Sequence, residues 1–439
     1  MLGLLLAALL AQAGAARPTR AAKPARPPAE RQQRATHEST YDQWKPSLFT
    51  IEVHSGNVNA KSTLGSGYLV SRGGHVVTNY HVVGSYVGDP ERYQLRAKNA
   101  SGQFEAQLLS FDLVNDLALL QIDGAPAPPL EVVARLPAPG TAVVAFGNPE
   151  GLGLSLVEGI FNGYAEKGLV DRMLLSMPLN SGMSGGPILN AAGQVIGTNV
   201  AIERESNSLS FGVPATKLRA LLAATPLALD KQSLLAETHR QLALLERETS
   251  ARLLQEVERM GDAFVMIGGA RAPRPPSVFE CWDDSELHRE EGITKSQYSC
   301  NLEFTPHVEP LGDVAAVSLL VEHFGVAAGS SFGLFGWLES HAQSHNQVNA
   351  IDPKNGAFSP PRCTAERVRV RDLVWKVTSC ASAYVDHPGL FDFDFVATSL
   401  SDPKDVMYVS LQMSGFRLEP LMALGRRLLE GVAPSGARP

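Results

Sequence analysis

Residues 44–225 consist of short runs rich in Val, Ile, Leu and Phe, and Gly, Asn, Asp and Pro separate these runs. The clearest runs are 48–53, 143–146, 155–160, 173–177 and 194–202. Regularly spaced short strands with turn signals between them predict an all-β sandwich or barrel. A segment of this length can bury a substantial core as one unit or as two small barrels. The periodicity alone does not choose between these two arrangements.

A glycine-rich loop at residues 180–187, Asn-Ser-Gly-Met-Ser-Gly-Gly-Pro, carries a serine suited to nucleophilic attack. A serine hydroxyl needs a base beside it, and attack on an amide needs backbone N–H groups aimed at the developing oxyanion. Glycines on both sides of the serine allow a sharp turn and a close approach to substrate. We predict Ser184 as the nucleophile and the N–H groups of Gly182 and Ser184 as the oxyanion hole. Taken alone, the motif also fits a plain glycine turn before a strand.

Two further stretches contain the base and the acid that such a serine requires. His81 lies within the stretch 74–83, at the end of a β-branched strand, and Asp116 directly precedes the apolar run 117–120. A buried carboxylate orients an imidazole and stabilises its cationic form. Asp112 is a second acid nearby, but Asp116 is the better candidate because an apolar strand follows it directly.

The order His81, Asp116, Ser184 in these contexts resembles the trypsin-like serine peptidases, and most closely their HtrA (Deg) branch. The matching stretches are Thr-Asn-Tyr-His-Val-Val at 78–83, Asp-Leu-Ala-Leu-Leu at 116–120 and Gly-Met-Ser-Gly-Gly-Pro at 182–187, with further matches at 146–153, 197–199 and 211–215. The resemblance covers about residues 45–225. It implies a double six-stranded β-barrel with the Ser-His-Asp triad in the cleft between the barrels, and serine endopeptidase activity without a cofactor.

The nucleophile loop departs from its relatives at two positions. Digestive trypsin-like enzymes carry, where Met183 stands, an aspartate that binds a new N-terminal ammonium, and no matching cleavage site occurs near residue 45. HtrA proteins usually have Asn in place of Met183 and Pro in place of Ser181. Activation by that ion pair is therefore excluded, and packing or neighbouring loops must order the loop.

The primary substrate pocket is predicted to be apolar. Pro178 stands six residues before the nucleophile, so no acid is available there to pair with Lys or Arg. We expect Asn199, Val200 and Ala201 to form the wall of the pocket. An apolar pocket discriminates by only about 1–3 kcal/mol per methylene. This predicts cleavage at small or medium aliphatic P1 residues in unfolded or flexible protein segments.

The N-terminal 43 residues predict export. Residues 1–16 are apolar and end in small residues, which is typical of a secretory signal peptide. The run is shorter than the roughly 20 residues of a membrane span, so we expect no stable span, although an uncleaved anchor is the alternative. Residues 17–43 are rich in Arg, Pro and Ala and predict a disordered linker. These features predict a periplasmic or secreted protein. The net charge of the chain, −7, argues against nucleic acid as a partner.

Residues 226–265 change to a 3.6-residue period and predict a long helical connector that Asp230 caps. Its apolar stripe includes Leu235, Leu242, Leu245 and Leu253. Such a stripe indicates a face packed within the chain. A coiled coil between two copies, and thus a homo-oligomer, stays open as the alternative.

Residues 277–432 predict an α+β domain separate from the barrels, in which we recognise no family and no PDZ domain. All four cysteines lie here, and proximity in the sequence favours the disulfides Cys281–Cys300 and Cys363–Cys380 among the three pairings. A zinc or redox Cys-x-x-Cys spacing is absent, and 341 and 345 are a lone histidine pair, so we expect no metal site.

Two functions remain after the sequence has been considered. One is an exported serine endopeptidase. The other is an envelope binding or structural protein that uses the peptidase fold as a scaffold. The complete set of Ser, His and Asp favours the endopeptidase.

Overall fold

The computed structural model describes residues 41–56, 60–124, 127–166, 168, 170–200, 209–223, 230–260, 264–275, 277–283, 285–288, 293–326, 356–402 and 404–433. The predicted signal peptide, nearly all of the linker, Ala201 and the pair His341 and His345 lie outside these residues. The chain divides after residue 43, and the described residues from 44 onward belong to one compact unit. None of the helices in the described ranges has both the length and the apolarity needed to span a membrane.

Six antiparallel strands close into a first barrel in the order β1-β2-β3-β6-β5-β4. The strands are β1 (Leu48–Ser55), β2 (Ala60–Leu69), β3 (His75–Thr78), β4 (Tyr93–Asn99), β5 (Gly102–Asp112) and β6 (Leu117–Ile122). Alternate residues point inward, and Ile51, Val53 and Leu120 are fully buried. Helix α1 (Tyr80–Gly88) leaves the end of β3 and packs against β1 and β2.

A second closed barrel follows, in the order β10-β11-β12-β9-β8-β7. Its strands are β7 (Thr141–Gly147), β8 (Ser155–Tyr164), β9 (Met173–Ser176), β10 (Pro187–Leu189), β11 (Val195–Val200) and β12 (Leu209–Pro214). Helix α2 (Ala215–Leu222) ends this part of the chain. The two six-stranded barrels that the resemblance implied are confirmed.

Helix α3 (Lys231–Met260) packs its apolar face within the chain. The side chain of Asp230 accepts a hydrogen bond from the N–H of Ser233 at 2.9 Å, which caps the helix. Gln241 is bonded to the first barrel, because its Nε2 donates to the carbonyl of Phe111 at 2.9 Å. Leu234 is completely buried while Leu235 is 36% exposed, so the buried stripe starts one residue earlier than predicted.

The C-terminal region is built on an eight-stranded antiparallel sheet with the path β15-β17-β20-β24-β23-β22-β21, and β16 pairs with β17. Its strands are β15 (Phe279–Asp283), β16 (Glu286–His288), β17 (Ile293–Leu302), β20 (Ala316–Val326), β21 (Arg362–Val370), β22 (Leu373–Ala383), β23 (Phe391–Ser399) and β24 (Asp405–Phe416). The other elements within the described residues of this region are two hairpins and a helix: β13 (Phe264–Ile267) with β14 (Ala270–Pro273), β18 (His307–Val308) with β19 (Gly312–Asp313), and α4 (Leu418–Gly431).

Both disulfides join directly opposed positions of neighbouring strands. Cys281–Cys300 connects β15 to β17, and Cys363–Cys380 connects β21 to β22. No free cysteine occurs in the described part of the chain. Each bridge closes a loop in the unfolded chain, which stabilises a fold by about 2–4 kcal/mol in typical cases.

The C-terminal sheet is not as separate from the barrels as the sequence predicted. One continuous hydrophobic cluster contains Ile51 of the first barrel, Leu245 of α3 and Trp375 of the sheet. A charged hydrogen bond at 2.8 Å, from Arg417 Nε to the buried carboxylate of Glu246, fixes α3 next to the start of α4. The barrels and the sheet therefore form a single compact unit.

Candidate active site

The imidazole of His81 and the carboxylate of Asp116 form a close pair in the first barrel. His81 lies in the first turn of α1, directly after β3, and Asp116 immediately precedes β6. His81 Nδ1–H donates to Asp116 Oδ2 at 2.8 Å, and the backbone N–H of His81 donates to Asp116 Oδ1 at 2.9 Å. The side chain of Asn79 donates to the carbonyl of Asp116 at 2.7 Å. Both carboxylate oxygens are thus engaged by one residue.

The second acid, Asp112, lies elsewhere in the same turn. Its Oδ1 accepts from the N–H of Asn115 at 2.9 Å, and its Oδ2 accepts from the amide side chain of Asn115 at 2.6 Å. It therefore shapes the turn that presents Asp116 and does not contact the imidazole.

The pairing with Asp116 sets the protonation of His81. Burial by itself lowers the pKa of His81, but the charge of Asp116 and its hydrogen bond raise it, so that the pKa lies above the usual 6.5. Because Nδ1 carries the donated proton, Nε2 of the neutral ring is the nitrogen left to accept one.

The loop that carries Ser184 is held by a strand of the other barrel. Ser66 of β2 donates its N–H to the carbonyl of Ser184 at 2.7 Å and its hydroxyl to the carbonyl of Gly182 at 2.7 Å. Gly182 and Gly185 adopt φ values of +88° and +86°, which favour glycine. Ser184 itself is buried. Sequence reasoning gave Ser66 no role.

Packing orders the nucleophile loop in place of an N-terminal ion pair. Met183 is buried against Gly147, where any added Cβ would lie 2.6 Å from the Cα of Met183. Asn199 donates its side-chain N–H₂ to the carbonyls of Phe146 at 2.8 Å and Met183 at 3.3 Å. The side chain of Asn199 is therefore buried beneath the loop, and the prediction that it forms the pocket wall requires this correction.

The peptide between Ser181 and Gly182 has a defined orientation. The carbonyl of Ser181 accepts a hydrogen bond from the N–H of Glu150 at 3.0 Å. In a trans peptide the N–H points away from the carbonyl of the same unit. The N–H of Gly182 consequently faces away from Glu150.

A cavity of about 400 Å³ lies beside the imidazole. The barrels supply His81, Asp116, Arg172 and Val200 to its wall, and the C-terminal region supplies residues 304–307. Arg172 is buried, yet no sequence motif marked it, since its position depends on how the loop before β9 folds back. Of the other predicted pocket residues, Pro178 is exposed and Ala201 lies outside the described residues.

Substitution of Gly185 by Ala should destabilise the protein by about 3 kcal/mol, because overpacking a tight site costs roughly that much. A methyl group there would overlap the carbonyl of Ser66 and the hydroxyl of Thr78. Gly140 is the matched control, since its φ is +90° but nothing lies within 4 Å of its added methyl. Gly140→Ala should cost only about 1 kcal/mol, the penalty of positive φ. Urea unfolding of both variants measures the difference, and equal losses would show that the nucleophile loop is not tightly packed.

Comparison with known proteins agrees with this geometry. The family model described as a trypsin-like peptidase domain matches residues 65–197, which contain His81, Asp116 and Ser184. Residues 65–197 are a trypsin-like peptidase domain that resembles those of the HtrA branch. The chain is 33% identical over 160 residues to the “Probable periplasmic serine endoprotease DegP-like” of Pseudomonas fluorescens, which covers 35% of this chain and 33% of that relative.

Two further relatives are similar over a comparable share of the chain. Serine protease HTRA1A of Danio rerio is 33% identical over 192 residues, covering 40% of this chain and 39% of the relative. Serine endoprotease DegS of Escherichia coli is 30% identical over 192 residues, covering 38% of this chain and 52% of the relative. The match to this HtrA-like chain therefore covers between about a third and a half of the length of each of these relatives.

Proposed function

We propose that this HtrA-like chain is a serine endopeptidase in which Ser184, His81 and Asp116 form the catalytic triad. The observation that carries the proposal is the pairing of His81 with both oxygens of Asp116, through its imidazole Nδ1–H and its backbone N–H. That pairing leaves Nε2 of His81 as a proton acceptor. The nucleophile loop packs against Thr78 and Asn79. These two residues lie three and two positions before His81 in the sequence.

Peptide-bond hydrolysis then proceeds in two halves. The Ser184 hydroxyl attacks the scissile carbonyl while Nε2 of His81 takes its proton, and the same proton passes to the leaving amine as the carbon–nitrogen bond breaks. Water next attacks the acyl-enzyme with His81 again as the base, which releases the carboxylic acid and restores Ser184. Asp116 stabilises the imidazolium formed in each half.

The oxyanion formed in each half needs donors that are already in place. We assign this role to the N–H groups of Gly182 and Ser184. The bond from Glu150 to the carbonyl of Ser181 supports this assignment, because it turns the N–H of Gly182 to the opposite side.

The substrate class follows from the walls of the cleft. Val200 is an apolar wall residue beside His81, and the position of Pro178 carries no charge. We infer a preference for small or medium aliphatic P1 residues in unfolded or flexible segments of exported proteins. The periplasmic relative and the two disulfides support an oxidising compartment outside the cytoplasm.

A fluorophosphonate probe tests the proposal on the full chain. The probe forms a covalent adduct only with an activated serine, so we expect one adduct per chain, located by peptide mapping on Ser184. Ser233, which caps α3 through Asp230, serves as an internal control and should remain unmodified. An absence of adduct, or an adduct on several serines at similar rates, would contradict the proposal.

A further inference from the structure

A segment of the C-terminal region, residues 303–309, reaches into the barrels directly after β17. The ring of Phe304 packs edge-to-face on Phe211 of β12, with ring centroids 4.7 Å apart and an interplanar angle of 70°. A methyl group on Gly168 of the second barrel would lie 2.7 Å from Phe304 Cδ2 and 3.2 Å from the carbonyl oxygen of Glu303. The 303–309 segment is therefore in close contact with the second barrel.

The same segment also touches the first barrel. A methyl group on Gly84 of α1 would lie 3.7 Å from Cγ of Glu309, and one on Gly88 would lie 3.4 Å from the carbonyl oxygen of Glu309. Helix α1 is the element that carries His81. The segment thus spans from one barrel to the other, and residues 304–307 share a cavity wall with His81.

The backbone of Phe304 is in the left-handed region, with φ at +58°. An aromatic residue rarely adopts this conformation, and strain of this kind persists only where surrounding contacts enforce it. Here the contacts with Phe211 and Gly168 hold the ring against the second barrel.

We propose that the 303–309 segment occupies the groove through which a peptide reaches Ser184, and so holds the peptidase in a low-activity state. The proposal rests on the proposed function. A nucleophile in a cleft between two barrels can reach a substrate backbone only if an extended chain lies across that cleft. A segment that already spans both barrels competes with such a chain, and the apparent affinity falls in proportion to the open fraction.

Release of the segment does not require the C-terminal sheet to detach. The sheet is fixed by the core that it shares with α3 and the first barrel. Phe304 and Thr305 are only half-buried, and His307, which is bonded to Asp313 at 2.8 Å, is exposed. Pro306 and Val308 are buried, so the opening that we infer moves Phe304 and Thr305 and leaves the β18–β19 hairpin in place.

The variant Phe304→Gly tests the proposal in the full chain. Glycine removes the ring and adopts positive φ without strain, so the fold should persist. We expect the rate of fluorophosphonate labelling to rise about tenfold, the upper end of what one aromatic pair contributes. Phe304→Tyr should retain the slow rate of the wild type, because it keeps the ring. Trp282→Ala removes an aromatic side chain of the same sheet that is 65% exposed, and it should change nothing.

The two proposals fail in distinguishable ways. If the wild type is labelled at Ser184 but Phe304→Gly is labelled equally fast or more slowly, the segment is not inhibitory and this inference is overturned. If neither protein is labelled, the peptidase assignment itself fails, and the inference fails with it. Should Phe304→Gly not fold, Phe304→Asn gives the same test, since Asn also tolerates the left-handed region.

Discussion

Replacement of Ser184 by Ala should lower peptide turnover by about 10⁶-fold, the loss typical of removing the nucleophile of a serine triad. The change deletes one oxygen atom, and the hydrogen bond from Ser66 to the carbonyl of residue 184 involves only the backbone. The nucleophile loop should therefore keep its conformation. Turnover of a fluorogenic peptide by purified protein measures the effect.

Ser181 provides the matched control for that measurement. It lies in the same loop, is exposed, and contributes its carbonyl rather than its hydroxyl to the bond from Glu150. Ser181→Ala should stay within a few-fold of the wild type. Near-normal turnover in Ser184→Ala, or an equal loss in both variants, would show that the chemistry lies elsewhere or that the loop has merely been disturbed.

Substitution of Asp116 by Asn should lower turnover by about 10⁴-fold without unfolding the protein, as expected when a triad carboxylate becomes an amide. An amide has the size of the carboxylate but no charge, so the imidazole loses its stabilised cation and its fixed tautomer. Asp112→Asn is the control, because Asp112 contacts Asn115 and not His81. We expect it to cost less than about tenfold, since it alters only the adjoining turn.

Asp116→Asn should also shift the pH dependence of activity. His81 acts as a base only when it is neutral, so activity falls as the pH drops through its pKa. Asp116 raises that pKa above 6.5, and the wild type should therefore lose activity at a higher pH than an isolated imidazole would. In Asp116→Asn the acid limb of the residual activity should shift to lower pH. A limb that does not move would mean that another group controls it.

Sequence reasoning could predict those candidate site residues that stand in short local patterns. A glycine-rich turn, a histidine after a β-branched strand and an acid before an apolar strand each have a short signature. Because their order along the chain resembled a known family, the resemblance also implied the two barrels. The periodicity of the strands alone did not predict that they close into barrels, because strands of this kind also fit a sandwich.

The rest depends on contacts between residues far apart in the sequence. Ser66 and Gly182 are 116 positions apart, and no spacing rule predicts their hydrogen bond. Arg172 and Phe304 reach the cleft only because a loop and a second sheet fold back on it. Asn199 was expected in the pocket wall, but its neighbours in the sequence do not show which face of β11 its side chain occupies.

The shared core that links the first barrel, α3 and the C-terminal sheet bears on how this chain can be divided. A fragment that stopped after α2 would leave the apolar residues of the first barrel that α3 covers in contact with water. An exposed apolar surface of this kind favours aggregation, so we expect the isolated barrels to be poorly soluble. Because the barrels and the C-terminal sheet share this core, we expect them to unfold together.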